Sequence, residues 1–366
     1  MASTPKSVGA TTYQYDHGQR KTYTPKPYVD FGRHAWWYTG TSAVLLMQSA
    51  ARTVLPRVGN FTNSLRGLKY ISVVGGGLMG TGIAQVCVQN GHAVNLVDLD
   101  HSVLSKSVDA IRQNAHRFAR KKYPNDDSSA ASFADSCLAN LETYTSIEEA
   151  VHGADLVIEA IVEKLPAKQS LFLEVEKYAS PECLLVSNTS SLSLRQISSV
   201  LSDQERFGGL HFFQPAPVLR LVEVVRTTHT SETTFQLLVE FVRSLDKVPI
   251  ACRDTPGYIV NRLLLPYLLD SIRMVERGFA TPHDVDLGMK LGASHPMGPF
   301  ELCDFIGLDT LKYICESLTD QMSDDPTFMC PNMLHHLVDE GRLGKKTRHG
   351  FFKYDAQGKM IVEEHR

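Results

Sequence analysis

A Cys-x-x-Cys pair, a long apolar run and an excess of either charge are all missing from this 366-residue chain. The seven cysteines (Cys87, Cys137, Cys183, Cys252, Cys303, Cys315 and Cys330) are odd in number and widely spaced. Paired zinc ligands and a disulfide framework therefore lose support, and a reducing compartment fits. No stretch approaches the roughly 18–20 continuous apolar residues of a membrane span. Lys plus Arg total 37 and Asp plus Glu 40, a net charge of −3, so there is no basic footprint for nucleic acid. An anionic ligand is still allowed, since it needs only a local basic patch. At 43% hydrophobic residues the chain is neither disordered nor fibrous, and its length suggests about two domains.

Acids are scarce at the start. Residues 1–66 hold only Asp16 and Asp30, and residues 47–69 hold none, while Arg52, Arg57 and Arg66 stand among hydroxylated and apolar residues. Targeting segments for mitochondria are Arg- and Ser-rich and acid-poor. Residues 1–66 thus read as a targeting or disordered extension outside the fold, with Met47 an alternative start.

What is present begins at residue 70. Tyr70-Ile71-Ser72-Val73-Val74 reads as a buried strand, and Gly75-Gly76-Gly77-Leu78-Met79-Gly80 matches G-x-G-x-x-G. Gly75 permits the tight turn, Gly77 lets backbone approach a pyrophosphate, and Gly80 allows close helix–strand packing. A helix over 81–90 follows, then a strand at 93–97 ending on Asp98. Asp98 stands where an acid accepts both ribose hydroxyls, and a carboxylate there repels a 2′-phosphate, so NAD is expected over NADP. Further strands at 155–160 and 184–187 alternate with a helix at 166–179. The pattern is that of a Rossmann-type, doubly wound α/β sheet. Glu163, Lys168 and Ser190 follow strand ends, where the ligands of such sheets sit.

His211 stands in an apolar segment, Leu210 to Pro215. A lone histidine in such a setting is more often structural than catalytic. Glu223 shifts the balance. It sits 12 residues on in the apolar strand Leu221-Val222-Glu223-Val224-Val225, and the Pro215-Ala216-Pro217 turn can fold the two segments together. A buried carboxylate is costly unless paired. An imidazole partner would relieve that cost and keep one ring nitrogen free as a base.

The segments GGGLMGTGIAQ, IEAIVEKLPAKQ, SNTSSL, GLHFF, LVEVV, DTPGYIVNRLL and HPMGPFELCDFIGLDT together resemble the L-3-hydroxyacyl-CoA dehydrogenases of fatty-acid β-oxidation, over about residues 68–355. The resemblance implies that His211 and Glu223 form the catalytic pair and that Ser190 and Asn261 contact the substrate oxygen. It implies cofactor contacts from Gly75, Gly77, Leu78, Met79, Gly80, Asp98, Glu163, Lys168, Ser190, Gln214 and Lys346, and CoA contacts from Asn114, Lys121 and Ser190. No metal is implied. A homodimer and the mitochondrial matrix are.

Three positions depart from the family pattern. Gln214 stands for asparagine, Asn114 for serine, and Arg348 for a glycine within Gly344-Lys345-Lys346-Thr347-Arg348-His349-Gly350. Beyond Asp254-Thr255-Pro256-Gly257 helical spacing takes over, with Leu264, Leu268, Ile272 and Val275 on one face and Pro266 expected near the first turns or at a kink. Helices are expected at 283–291, 299–306, 308–318 and 331–340. The expected layout is 67–254 for NAD binding and 255–366 for an all-helical substrate and dimerisation domain. Two other readings compete: a dehydrogenase of a free hydroxy acid or sugar acid on the same fold, and a non-catalytic NAD-binding protein.

Overall fold

The computed structural model describes residues 67–361. The extension expected over 1–66 lies outside the described residues.

Eight strands form one sheet in the order β3-β2-β1-β4-β5-β6-β7-β8. They are β1 (Tyr70–Val74), β2 (Ala93–Val97), β3 (Leu141–Tyr144), β4 (Leu156–Glu159), β5 (Leu184–Ser187), β6 (Phe207–Phe212), β7 (Leu221–Arg226) and β8 (Val248–Arg253). All neighbours are parallel except β6 and β7, which are antiparallel. Strand order reverses beside β1, which pairs with β2 on one side and β4 on the other. That is the switch point at which such sheets bind ligands.

Parallel strands are covered on both faces, and the side chains show it. Ile71, Val73, Leu156 and Ile158 enter one apolar cluster, while Val74, Val97, Val157 and Leu185 enter the other. The covering helices include α1 (Leu78–Gln89), α2 (His101–Lys122), α5 (Leu165–Tyr178) and α7 (Glu232–Ser244). In α1 the anticipated face, Ile83, Val86 and Cys87, is buried. The elements not anticipated include α3 (Asp127–Ala139), β3, α4 (Ile147–Val151), α7 and β8. Strand β3 reads LETY, with no residue fully buried, so its sequence carries no apolar alternation.

A separate apolar cluster holds the helices after β8. After the short α6 (Leu194–Ser198) in the sheet region come α8 (Val260–Glu276), α9 (Pro282–Gly292), α10 (Pro299–Ile306), α11 (Leu308–Gln321) and α12 (Asn332–Asp339). Leu268 and Ile272 are buried in it, and Leu264 and Val275 pack against it. Pro266 lies inside α8. Asp286 and Asp304 are buried here, and each carboxylate receives backbone N–H groups: Phe300 and Glu301 donate to Asp286, Phe351 and Phe352 to Asp304. The Tyr354 hydroxyl also donates to Asp304. The chain after α12 thus folds back onto α10 rather than continuing as helix, held by isolated bridges such as Gly344–His349.

Arg348 stands in this returning segment at φ 59°, in the left-handed region. That conformation costs a non-glycine residue about 1–2 kcal/mol. Arg348→Gly is therefore expected to raise the midpoint of urea unfolding by a stability gain of about 1 kcal/mol; a lower midpoint would show that the arginine is not strained.

Candidate active site

The glycine loop explains itself atom by atom. Gly75 has φ 112°, and a Cβ on it would lie 2.5 Å from the Ala160 carbonyl oxygen. A Cβ on Gly80 would lie 1.8 Å from the Gly75 carbonyl oxygen. Both positions are closed to any side chain. At Gly77 the space is open, and this residue caps α1 without any side-chain acceptor. The first N–H groups of α1 are left for an outside anion, at the positive end of the helix dipole. Leu78, exposed, and Met79, half-buried, form that first turn. Asp98 Oδ2 accepts the Gly76 N–H at 2.8 Å and so fixes the loop while the carboxylate remains at its rim. Uncapped helix, open glycine and rim carboxylate fit a dinucleotide.

Glu163 is the hub of the next wall. Its Oε1 accepts from the Thr189 hydroxyl, the Ser191 hydroxyl and the backbone N–H groups of Ser190 and Ser191. Lys168 Nζ lies 3.0 Å from its Oε2 and 2.5 Å from Glu159 Oε1. Lys168 is only 1% exposed, so it stands behind Glu163 and holds two carboxylates rather than facing the open groove. Glu159 also takes the Ser187 hydroxyl at 2.5 Å. Glu159 is a residue that sequence reasoning missed. The signal was available: it is a carboxylate in an apolar strand, like Glu223, and it too needs a partner.

The β6–β7 pairing sets the central geometry. His211 and Glu223 are direct cross-strand partners, so their side chains leave the same face of the sheet. Nδ1 of His211 lies 2.6 Å from Glu223 Oε2, with both residues buried. Nε2 faces Ser190 Oγ at 3.0 Å. A carboxylate accepting from Nδ1–H leaves Nε2 as the basic nitrogen. The other oxygen of Glu223 accepts the backbone N–H groups of Ile259 and Val260, at 3.1 and 2.9 Å. Asn261 follows immediately, half-buried at the start of α8. His211, Glu223, Ser190 and the segment carrying Asn261 are thus brought together.

Tyr258 was also missed. Its ring lies 5.4 Å from the imidazole, it is buried at φ 51°, and its hydroxyl has no partner among the described residues. Burial pushes that phenol well above its ordinary range. Nothing in the sequence around it announces a left-handed tyrosine.

Two further groups complete the picture. Gln214, Leu78, Asn114, Arg117 and Lys121 line a cleft of about 430 Å³ between α1, α2 and the β6–β7 turn. Asn114 donates to Gln85 at 3.0 Å, and Lys121 is exposed in α2. Lys346 is elsewhere: it pairs with Asp309 at the start of α11. The same helix reaches the sheet through Tyr313, whose hydroxyl donates to the Glu163 carbonyl at 3.1 Å.

The 3-hydroxyacyl-CoA dehydrogenase NAD binding domain matches residues 70–255, and the C-terminal domain of the same family matches 257–354. The chain belongs to the 3-hydroxyacyl-CoA dehydrogenase family. It is 47% identical to the rat mitochondrial hydroxyacyl-coenzyme A dehydrogenase and 46% to the human one, each over 78% of this chain and 91% of the relative. The (S)-3-hydroxybutyryl-CoA dehydrogenase of Ralstonia eutropha is 35% identical, superposes with a TM-score of 0.73, and is matched over 79% of this chain and all of that one. Within this family frame the expected NAD cofactor stands.

Burial pushes Glu163 up, but the Lys168 charge and the hydroxyls of Thr189 and Ser191 outweigh it and hold the carboxyl below its ordinary value. A depressed folded-state pKa gives stability that is present above the unfolded value and lost as pH falls through the folded one. The unfolding temperature is thus expected to fall below about pH 4, the ordinary Glu value. Glu163→Gln should lose less over the same interval. Equal acid losses in the two proteins, followed by calorimetry, would overturn this.

Proposed function

We propose that the protein oxidises an L-3-hydroxyacyl-CoA to the 3-ketoacyl-CoA with NAD as hydride acceptor, and that His211 is the general base. The observation that carries this reading is the His211–Glu223 pair at 2.6 Å with Nε2 turned toward Ser190. Nε2 takes the proton of the substrate 3-hydroxyl. Glu223 stabilises the imidazolium that forms and holds the ring so that the same nitrogen is presented at each turnover. Ser190 and Asn261 position the substrate oxygen, which keeps the reacting groups at a productive separation. NAD, when bound, supplies the acceptor for the C3 hydride. Gly75, Gly77, Leu78, Met79 and Gly80 would hold its pyrophosphate, Asp98 its ribose, and Glu163 and Gln214 the remainder, with Lys168 bracing Glu163; Lys346, engaged by Asp309, stands outside this set. In the reverse direction protonated His211 donates from Nε2 to the 3-keto oxygen.

The cleft between α1 and α2 is assigned to CoA. Its basic residues Arg117 and Lys121, with Asn114, suit phosphate groups on a flexible ligand. This basic lining favours a CoA thioester over a free hydroxy acid. The region after β8 exposes Leu263, Phe279 and Leu291 at 70% or more, apolar surface suited to a homodimer. Among the described residues no helix is long and apolar enough to cross a membrane. We assign the protein to the mitochondrial matrix, with residues 1–66 as the targeting extension, 67–254 as the NAD-binding domain and 255–366 as the substrate and dimerisation domain.

Two experiments test these assignments. His211→Gln should lower NADH oxidation with acetoacetyl-CoA by about 10²–10⁴-fold while NADH affinity holds. Near-normal turnover in that variant, or wild-type turnover of free acetoacetate alone, would refute the reading. A protein starting at residue 67 should keep full specific activity in vitro but fail to enter isolated mitochondria; loss of solubility or undiminished import would remove the targeting role.

A further inference from the structure

Two of the seven cysteines face each other in the helical region. Cys315 is buried in α11, and its Sγ lies 2.8 Å from the Phe328 carbonyl oxygen. Phe328 ends a short 3-10 turn, Pro326–Phe328, and Cys330 follows two residues on. Cys330 is half-buried and packs against the apolar cluster that contains both Cys315 and Phe328. Its thiol is hydrogen-bonded to that of Cys315. The two side chains therefore already point at one another, which is the geometric condition for a disulfide.

Their surroundings separate this pair from the other thiols. Burial pushes Cys87, Cys137, Cys183, Cys252 and Cys303 up, so they stay protonated and unreactive. At Cys315 the hydrogen bond from Cys330 outweighs burial, and with the Thr319 hydroxyl and the Arg273 charge it holds the thiol below its ordinary value. Arg273 is fixed in place, because its Nη2 donates to the carbonyls of Thr327 and Met329 at 3.0 and 2.6 Å. Burial shields Cys315 from reagents, while the half-buried Cys330 is within their reach. Thiolate character and access are thus divided between two sulfurs joined by one hydrogen bond, the arrangement of a reactive and a resolving cysteine.

We propose that Cys315 and Cys330 form a redox modification site, closed to a reversible disulfide by small disulfides such as glutathione disulfide. Cys330 passes its proton across the hydrogen bond to the Cys315 thiolate, and its sulfur attacks one sulfur of the reagent. The S–S bond of the reagent breaks, and the first glutathione leaves, taking from solvent the proton that Cys315 had released. Cys315 then attacks the Cys330 sulfur of the mixed disulfide, and the second glutathione leaves with the Cys315 proton. Two protein thiols are oxidised, and one small disulfide is reduced to two thiols. The new bond staples α11 to the turn that α8 grips through Arg273 and through Arg262, whose guanidinium lies over the Phe328 ring. Closing this loop restricts the unfolded chain, so the oxidised protein is the more stable form. The proposal is independent of the dehydrogenase reading.

The test incubates the full-length protein, reduced and then freed of reductant, with glutathione disulfide. Thiol titration after denaturation should fall by two from seven, and peptide mapping without reduction should find the Cys315 and Cys330 fragments joined. The unfolding temperature should rise by several degrees, and dithiothreitol should reverse both changes. Cys330→Ser should lose none of its remaining thiols. Cys315→Ser should instead retain glutathione on Cys330, because the resolving sulfur is gone. Survival of all seven thiols, a link to any other cysteine, or glutathione that stays on Cys330 in the unsubstituted protein would overturn the proposal. A disulfide that forms without raising the unfolding temperature would overturn it as well.

Discussion

Glu223 is the constraint on which the rest of the structure turns. Its carboxylate is fully buried, and both oxygens are satisfied, one by the imidazole and the other by two backbone N–H groups at the start of α8. A carboxylate taken out of water needs such partners on each side. The helix dipole at the α8 terminus adds a favourable field for the negative charge. One side chain therefore does two jobs: it aims the histidine of the sheet and anchors the first helix of the helical region. The same carboxylate thus ties the imidazole of the sheet to the backbone just ahead of Asn261.

A second buried carboxylate repeats the logic at the other end of the cleft. Glu159 is held by Lys168, and Lys168 in turn holds Glu163 against the segment that carries Ser190. Breaking such a buried arrangement by removing one partner costs about 3–5 kcal/mol. The two arrangements meet at Ser190, which receives its place from Glu163 through its backbone N–H and contacts the imidazole through its hydroxyl.

Much of this was legible in the sequence, for identifiable reasons. The glycine loop and Asp98 are local, and local backbone demands leave a local signature. The His211–Glu223 pair could be anticipated because a charged residue in an apolar strand demands a partner and a proline turn supplies the reversal. The same argument applied to Glu159 would have found Lys168 as its counter-ion, so that residue's buried position was readable but unread. The left-handed Tyr258 and the pairing of Lys346 with Asp309 were not readable, because both depend on how distant segments pack. The short edge strand β3 was hidden for a different reason: an edge strand with little buried surface has no periodicity to display.

The returning segment after α12 has a consequence for the chain's end. Asp304 sits in the middle of the helical core, and its donors come from Phe351, Phe352 and Tyr354, far downstream. A nonsense change or a proteolytic clip just ahead of Phe351 would strand a carboxylate inside apolar surroundings. The stretch of chain from Phe351 to Tyr354 is therefore an integral part of the helical core although it is remote in sequence from Asp304.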